Sequence, residues 1–399
     1  MAGSLVKVGL SAVVVLAVLF QVFLKDGVWL LFGIGRVMQP LSDFPYTCRK
    51  ITDPRMEACE DMWLSEATRQ LFLACSDPLA RPHWTPNVGK LNVSGMSQRD
   101  AIVALDIDKP VNEGFEVRVL KTPDFSGTAG DGLLSLVGFT GIDTADGAVE
   151  LLVINNRPSI DAETGAYQDQ YAHGANTTIE LFTTGPRAAE LKHIRTHADK
   201  EIATPNRVAA IDSKTFYFTN DRGPHKVGLR SQLSAITGEA NVHLCEADRG
   251  CRQVADGLKF ANGLARDKDG LIYVPDSISG HLHIYRILDS KDLEKVDEMD
   301  LGYSLDNASV DKNGDVWIAA FPVGLGILQA YNDPYNAHPA AAVLRVTKVE
   351  GKYVVDKVIE DGQGDVLPAT TTVVHDAKTG RLFFSSVISP FIAVCEPKA

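Results

Sequence analysis

Five residues with oxygen-bearing side chains stand at the start of successive, weakly repeating strand units: Glu60, Asn206, Asn262 and the adjacent pair Asp306-Asn307. Carboxylate and amide oxygens, with no Cys or His among them, suit a hard divalent cation. Calcium takes about six to eight such oxygens and tolerates irregular geometry. The two carboxylates of the set balance the charge of one Ca²⁺. An ion held this way can polarise a carbonyl oxygen as a Lewis acid. To hold one ion, the fold must bring five distant strand starts to a single point.

The repeats indicate how. Phe260 to Arg286 reads FANGLARDKDGLIYVPDSISGHLHIYR: an apolar stretch, a turn at Asp269-Gly270, then two strands with alternating apolar residues. Leu305 to Leu328 repeats the plan with its turn at Asn313-Gly314, and weaker copies begin near Glu60, Thr140, Asn206 and Thr372. Alternation joined by Asp-Gly, Asn-Gly and Thr-Gly turns is a hairpin signal. Six such units predict an all-β chain, a six-bladed β-propeller with variable loops. A large β-sandwich with insertions is the alternative. The propeller is preferred because a ring sets the first strand of every blade around one axis, so that residues at strand starts meet at one mouth of the channel. The polar, Pro- and Gly-bearing insertions at 81–100 and 157–175 are candidates to cover that mouth; solvated loops under no functional demand are the alternative.

Cys48 lies just after the N-terminal apolar region and Cys395 close to the C-terminus, where a bond between them would lock the seam between the first and last blades. Six cysteines allow several pairings. Cys245 and Cys251 flank a short turn, and Cys59 and Cys75 flank a hairpin; buried thiols are the other reading. Residues Val8 to Leu24 are apolar except for Ser11 and Gln21. That length is short for a membrane span and long for a cleavable signal core. We read residues 1–36 as a signal-anchor helix with its juxtamembrane stretch, and 40–399 as the propeller, lumenal or extracellular in the secretory pathway. A cleaved signal and secretion are the alternative. Gly27 to Ile34, with Trp29 and Phe32, suits a membrane interface. Sequons at Asn92 and Asn176 fit glycosylation on a lumenal surface; a third, at Asn307, overlaps the oxygen cluster and is expected to stay unmodified. A net charge of −12 argues against nucleic acid, which needs a basic footprint.

The chain resembles the serum paraoxonase/arylesterase family of calcium-dependent lactonases. The residues that carry the likeness are Glu60-Asp61, Phe139-Thr140-Gly141-Ile142, Thr219-Asn220-Asp221, Phe260-Ala261-Asn262-Gly263, Asp306-Asn307 and the two terminal cysteines. The resemblance implies a six-bladed propeller closed by a disulfide, an uncleaved hydrophobic N-terminus, and a catalytic calcium on Glu60, Asn206, Asn262, Asp306 and Asn307. It also locates departures. The family's active-site histidine pair falls at Thr140 and Asn156, neither of which is a general base near neutral pH. The family's second calcium uses residues equivalent to Asp61, the carbonyl of Ile142, and an aspartate where this chain has Arg207. A guanidinium there replaces a ligand with a cation, so one calcium is expected, with Arg207 paired to Asp61.

His225 is the first candidate for a replacement base and Asp221 another; a third route relies on the metal without a side-chain base. For any single histidine a structural role is the safer reading. There is no Gly-x-Ser-x-Gly elbow, His-Glu-x-x-His, Cys-x-x-Cys, Gly-x-Gly-x-x-Gly or P-loop. The Asp-rich turns at 267–270 and 311–315 lack the closing Glu of an EF-hand and read as hairpin turns. Two classes of function remain. One is a membrane-anchored, calcium-dependent hydrolase of a small ester or lactone. The other is a metal-retaining propeller with non-hydrolytic chemistry, such as a cyclase or isomerase of a carbonyl compound, or a binding protein without turnover.

Overall fold

The computed structural model describes residues 14, 15, 17, 18, 20–111 and 114–398. Six four-stranded antiparallel sheets form the blades of a propeller. Blade 1 comprises Asp61–Ser65, Gln70–Cys75, Ala101–Val111 and Gly114–Leu120, and blade 2 comprises Leu136–Asp143, Val149–Pro158, Ala175–Thr184 and Lys192–His197. Blade 3 follows with Pro205–Asp212, Thr215–Asn220, Ala240–Glu246 and Gly250–Leu258, and blade 4 with Ala265–Arg266, Leu271–Pro275, His281–Ile287 and Leu293–Asp300. Blade 5 is Ser304–Val310, Val316–Phe321, Ala341–Val349 and Lys352–Asp361. Blade 6 takes Thr372–Asp376, Arg381–Ser385 and Ile392–Pro397 from the C-terminus and Tyr46–Ile51 from the N-terminal side.

That borrowed strand closes the ring. Tyr46–Ile51 runs antiparallel to Ile392–Pro397 with Cys48 directly opposite Cys395, and the two are bonded. The other cysteines pair as Cys59–Cys75 and Cys245–Cys251, the latter across a strand register, so all six are disulfide-bonded.

Position in the ring dictates composition. The second strand of each blade is pressed between neighbouring blades on both faces, so Gln70–Cys75, Thr215–Asn220 and Val316–Phe321 are buried at every residue. Such strands read as continuous apolar runs rather than alternating ones. The outermost strand Leu293–Asp300 meets solvent and carries mostly charged residues. Between blades the core is apolar: Phe72 and Ala104 of blade 1 pack on Phe139, Leu151 and Phe182 of blade 2.

The Asp-rich turns are hairpin turns, as their sequence predicts. Asp267 Oδ1 accepts from the N–H groups of Asp269 and Leu271, and Asp311 Oδ1 from those of Asn313 and Asp315. The tight turn puts Gly270 and Gly314 at positive φ, where glycine is unstrained. The free oxygen of Asp311 then accepts from Trp317 at 3.0 Å and contacts His375 of blade 6 at 2.6 Å, tying blade to blade.

Part of the predicted N-terminal span lies outside the described residues, and among the described residues no helix is long and apolar enough to cross a membrane. Helix α1, Lys25–Phe32, rests on the rim of blades 4 and 5. Its Leu30 packs against Gly280 and its Leu31 against Gly324, where added β-carbons would collide with the leucines. Trp29 and Phe32 stay exposed, at 41% and 60%.

Candidate metal centre and cavity

Three inner strands carry a β-bulge at the same height. In blade 3, Pro205 pairs with Asn220 and Val208 with Phe218, leaving Asn206 and Arg207 opposite a single residue. Blade 5 does the same at Asp306-Asn307 and blade 2 at Val137-Gly138. A bulge breaks the strict alternation of a strand and re-aims side chains. It therefore lets two consecutive residues address the channel axis, which a regular strand forbids. The remaining blades reach the same height at the residues that enter the inner strand. The N–H groups of Glu60, Asn262 and Thr371 donate to Ala74, Pro275 and Ser385 of their own second strands.

The result is a six-fold set of dipeptides, one per blade. Their first residues, Glu60, Val137, Asn206, Asn262, Asp306 and Thr371, all line one cavity of about 230 Å³. Their second residues, Asp61, Gly138, Arg207, Gly263, Asn307 and Thr372, form a buried layer beneath. The channel is narrow here: a β-carbon on Gly138 would overlap the Asn206 carbonyl, and one on Gly263 would overlap the Asn307 side chain. Val137 and Thr371 were not among the residues singled out by sequence. The Val137-Gly138 dipeptide would have pointed to them only if aligned blade by blade with Asn262-Gly263.

The five sequence-predicted oxygen ligands therefore come together. Four line the cavity floor, and Asn307 sits just below, its Nδ2 donating to Thr372 Oγ1 at 2.8 Å and Glu60 Oε1 at 3.2 Å. The other two amides donate to groups outside the set: Asn262 Nδ2 to Ser277 Oγ at 3.1 Å, and the Asn206 amide to the Asp221 carboxylate. Asn262 Oδ1 accepts from the Gly263 N–H at 2.9 Å. Asn206 Oδ1, Asp306 Oδ1 and Asn307 Oδ1 are buried without a hydrogen-bond partner. Unpartnered buried acceptors are costly, and a bound cation would satisfy them. Burial pushes the Glu60 carboxyl up to about 7, against the pull of Arg81 and Thr371, and burial together with Glu60 and Asp61 raises Asp306. Two carboxylates crowded in a dry site resist joint ionisation unless a cation joins them. The donor set fits calcium.

The layer beneath behaves as the substitution at Arg207 predicts. Arg207 Nε donates to Asp61 Oδ2 at 2.8 Å, Nη1 to the Ala308 carbonyl, and Nη2 to the Met62 carbonyl at 3.3 Å. Asp61 also accepts from the N–H groups of Met62 at 2.8 Å and Phe139 at 2.9 Å. One guanidinium thus links blades 1, 3 and 5 across the axis, with blade 2 joined through Asp61. The contact with Asp61 is single rather than forked, because the other two arms go to backbone carbonyls.

The three predicted catalytic positions do not gather. Thr140 lies at the other end of the channel, in a separate cavity of about 320 Å³ that also takes in Glu66, Arg266 and Lys312. The inner strand starts at Leu136, four residues before the predicted unit start, so Val137 reaches the metal-side cavity. At about 3.3 Å per residue, the three-residue difference moves a side chain roughly 10 Å along the strand. Asn156 stands behind the cavity wall. Its Nδ2 donates to Asn87 Oδ1 at 2.9 Å, its Oδ1 accepts from Thr177 at 2.8 Å, and Asn87 in turn lines the cavity. His225 is outside it, paired with Glu239 at 3.0 Å on the loop before helix α2, Gly228–Thr237. Asp221 is buried beside Asn206 and Asn87, and burial pushes its carboxyl up to about 6. Among the described residues no histidine or cysteine lines the cavity. Its upper walls are apolar, with Leu31 of α1, Val88, Phe260, Ile278, Phe321 and Leu328. Of the two predicted covering loops, 81–100 contributes Thr85, Asn87 and Val88, and 157–175 contributes nothing.

The arylesterase family profile matches residues 158–389, more than half of the chain. The chain belongs to the arylesterase family. It is 28% identical to serum paraoxonase/arylesterase 1 of Rattus norvegicus over 232 residues, 57% of this chain and 64% of that protein. It is 26% identical to mechanosensory abnormality protein 6 of Caenorhabditis elegans over 247 residues, 59% of this chain and 60% of that protein. The matched regions thus span less than two thirds of these relatives. The solved structure of a candidate gluconolactonase superposes with a TM-score of 0.50 at 13% identity, covering 92% of this chain and 94% of the other. That likeness is one of fold.

Proposed function

We propose that this arylesterase-family chain is a calcium-dependent hydrolase of small esters or lactones, centred on the cavity floor. The observation that carries the reading is the trio of buried, unpartnered oxygens of Asn206, Asp306 and Asn307 beneath an apolar pocket. Glu60, Asn206, Asn262, Asp306 and Asn307 would hold one Ca²⁺, which when bound polarises a carbonyl oxygen as a Lewis acid. The chain's own residues do the rest. The Asp61–Arg207 layer fixes the ring below the floor. The apolar walls, Leu31 of α1 among them, take the acyl or aryl part and exclude water. Tyr331, on the wall, has its phenol raised by burial and shares a hydrogen bond with Thr85, so at neutral pH it stays protonated beside the acyl or aryl group.

The test is the purified full chain with a panel of lactones and aryl esters, with and without EGTA, beside Glu60→Gln. Turnover should vanish in EGTA, return with CaCl₂, and fall more than about 100-fold in Glu60→Gln. Turnover that ignores EGTA would overturn the metal role. No turnover across the panel would favour the second reading, non-hydrolytic chemistry or ligand binding. The lack of a histidine in the cavity favours that reading, and the similarity to mechanosensory abnormality protein 6 is consistent with it.

We further propose that the cavity end faces a membrane, anchored by the N-terminal apolar segment. Helix α2 has Ser231 and Ser234 buried while Leu229, Leu233 and Ile236 face solvent. That inverted face lies, by blade topology, on the same end as α1. Vesicle flotation of Leu229→Ser/Leu233→Ser should show weaker binding. Asn92 and Asn176 are exposed and proposed to carry glycans, whereas Asn307 is 1% exposed and closed to modification.

A further inference from the structure

A second cluster of ligand-type side chains lies on the outer rim of blade 4, away from the central ring. His281 and His283 open its third strand, and the two-residue period puts both rings on one face. Glu298, on the fourth strand, is the register partner of His283. Its carboxylate reaches both rings, with Oε1 2.7 Å from His281 Nδ1 and Oε2 3.2 Å from His283 Nδ1. One donor atom from each of the three lies within 4.8 Å of the others. His283 is only 6% exposed, yet neither ring nitrogen has a partner in hydrogen-bond geometry, and Nδ1 has only its ion-pair contact with Glu298. On its far side, Asp276 Oδ2 stands 3.6 Å from Nε2 but accepts from the Lys259 N–H. A buried imidazole with no well-aligned hydrogen bond at either nitrogen has ligand capacity to spare.

We propose that His281, His283 and Glu298 bind a zinc-class divalent ion. Two imidazoles and one carboxylate make a three-ligand set with a fourth position left for water, as zinc commonly takes. Imidazole nitrogen selects zinc, nickel or copper over calcium, so this site and the all-oxygen ring choose different metals. Zinc–ligand bonds of about 2.0–2.2 Å require the donors to draw in to roughly 3.5 Å of one another. Rotation about χ1 and χ2 of His281 and Glu298, both about one-third exposed, can supply this. Lys295 now contacts Glu298 Oε2, and its half-exposed side chain is free to swing out. The bound ion would cross-link the two outermost strands of the blade. It would do so beside α1, since His281 also lines the cleft with Trp29 and Arg36.

The experiment is a ZnCl₂ titration of the full chain against a chromophoric chelator, with CaCl₂ saturating so that the oxygen ring is filled. One zinc per chain is expected, with X-ray absorption showing two imidazole nitrogens in the ligand shell. His281→Ala and Glu298→Gln should each weaken binding by at least about tenfold, and His281→Ala/His283→Ala should abolish it. Because His283 is buried, each variant is checked by its thermal melt. The two partly exposed positions keep the test valid if the His283 variant unfolds. Absence of stoichiometric zinc, or uptake unchanged in folded His281→Ala and Glu298→Gln, would overturn the proposal.

Discussion

Replacing Arg207 with Met removes the cation that joins three blades across the channel. Burial raises the Asp61 carboxyl, and Arg207 with the N–H groups of Phe139 and Met62 pulls it back. Removing one partner of a buried pair costs about 3–5 kcal/mol, since the other charge is left uncompensated. Asp61 keeps its two backbone donors, at 2.8 and 2.9 Å, which places this case near the lower value, about 3 kcal/mol. The Ala308 and Met62 carbonyls each lose a donor, at about 1 kcal/mol apiece. The loss is then about 5 kcal/mol at most. With an unfolding entropy of about 2.1 cal/mol/K per residue over roughly 350 residues, Tm should fall by up to about 7 °C. The assay is thermal unfolding of Arg207→Met, Asp61→Asn and the double variant. A coupling energy of at least about 2 kcal/mol is expected, because the two side chains touch. Elemental analysis of the wild-type chain should give one calcium. Additive losses, a Tm within a degree of wild type, or two calcium ions per chain would refute the reasoning.

Other outcomes follow from the same geometry. Val137→His with Asn156→His should raise aryl-ester kcat/KM by at least about tenfold, because Val137 lines the cavity, while Thr140→His should change nothing. An equal gain from Thr140→His would show the strand register to be wrong. Cys48→Ala opens a loop spanning 347 positions, and the chain-entropy model sets an upper bound of about 6 kcal/mol on the loss. Tm should fall with calcium affinity unchanged, and free thiols at both Cys48 and Cys395 in non-reducing peptide maps would refute the closure. His197 is buried edge-on against Phe216, and burial lowers it from 6.5 to about 4. The unfolded chain therefore binds the extra proton first as pH falls, so stability is lost between pH 6.5 and 4, by up to about 3 kcal/mol. His197→Phe should lose less Tm between pH 7 and 4.5 than wild type; an equal loss in both would rule this out.

Much of the architecture is written locally in the chain. Asp-Gly and Asn-Gly turns between alternating strands mark the blades, and the cysteines sit where strand ends must be joined. The residue types of Glu60, Asn206, Asn262, Asp306 and Asn307 suffice to name the ion that would suit them. Their meeting at one height also follows from the repeat, because equivalent strand starts in a ring share an axis.

What the sequence leaves open turns on single-residue phase and on contacts between distant segments. A bulge adds one residue to a strand without altering its composition; the unit read from Thr140 begins at Leu136, and the bulged Val137 takes the channel position. His225, close in sequence to Asn220-Asp221, turns away to Glu239 because the chain reverses there into α2. Arg207 and Asp61 are 146 residues apart, and only closure of the ring makes them partners. Local pattern sets which strands form, since hydrophobic period and turn chemistry act over a few residues. Ring closure decides which side chains meet, because blade-to-blade packing couples residues that no local period relates.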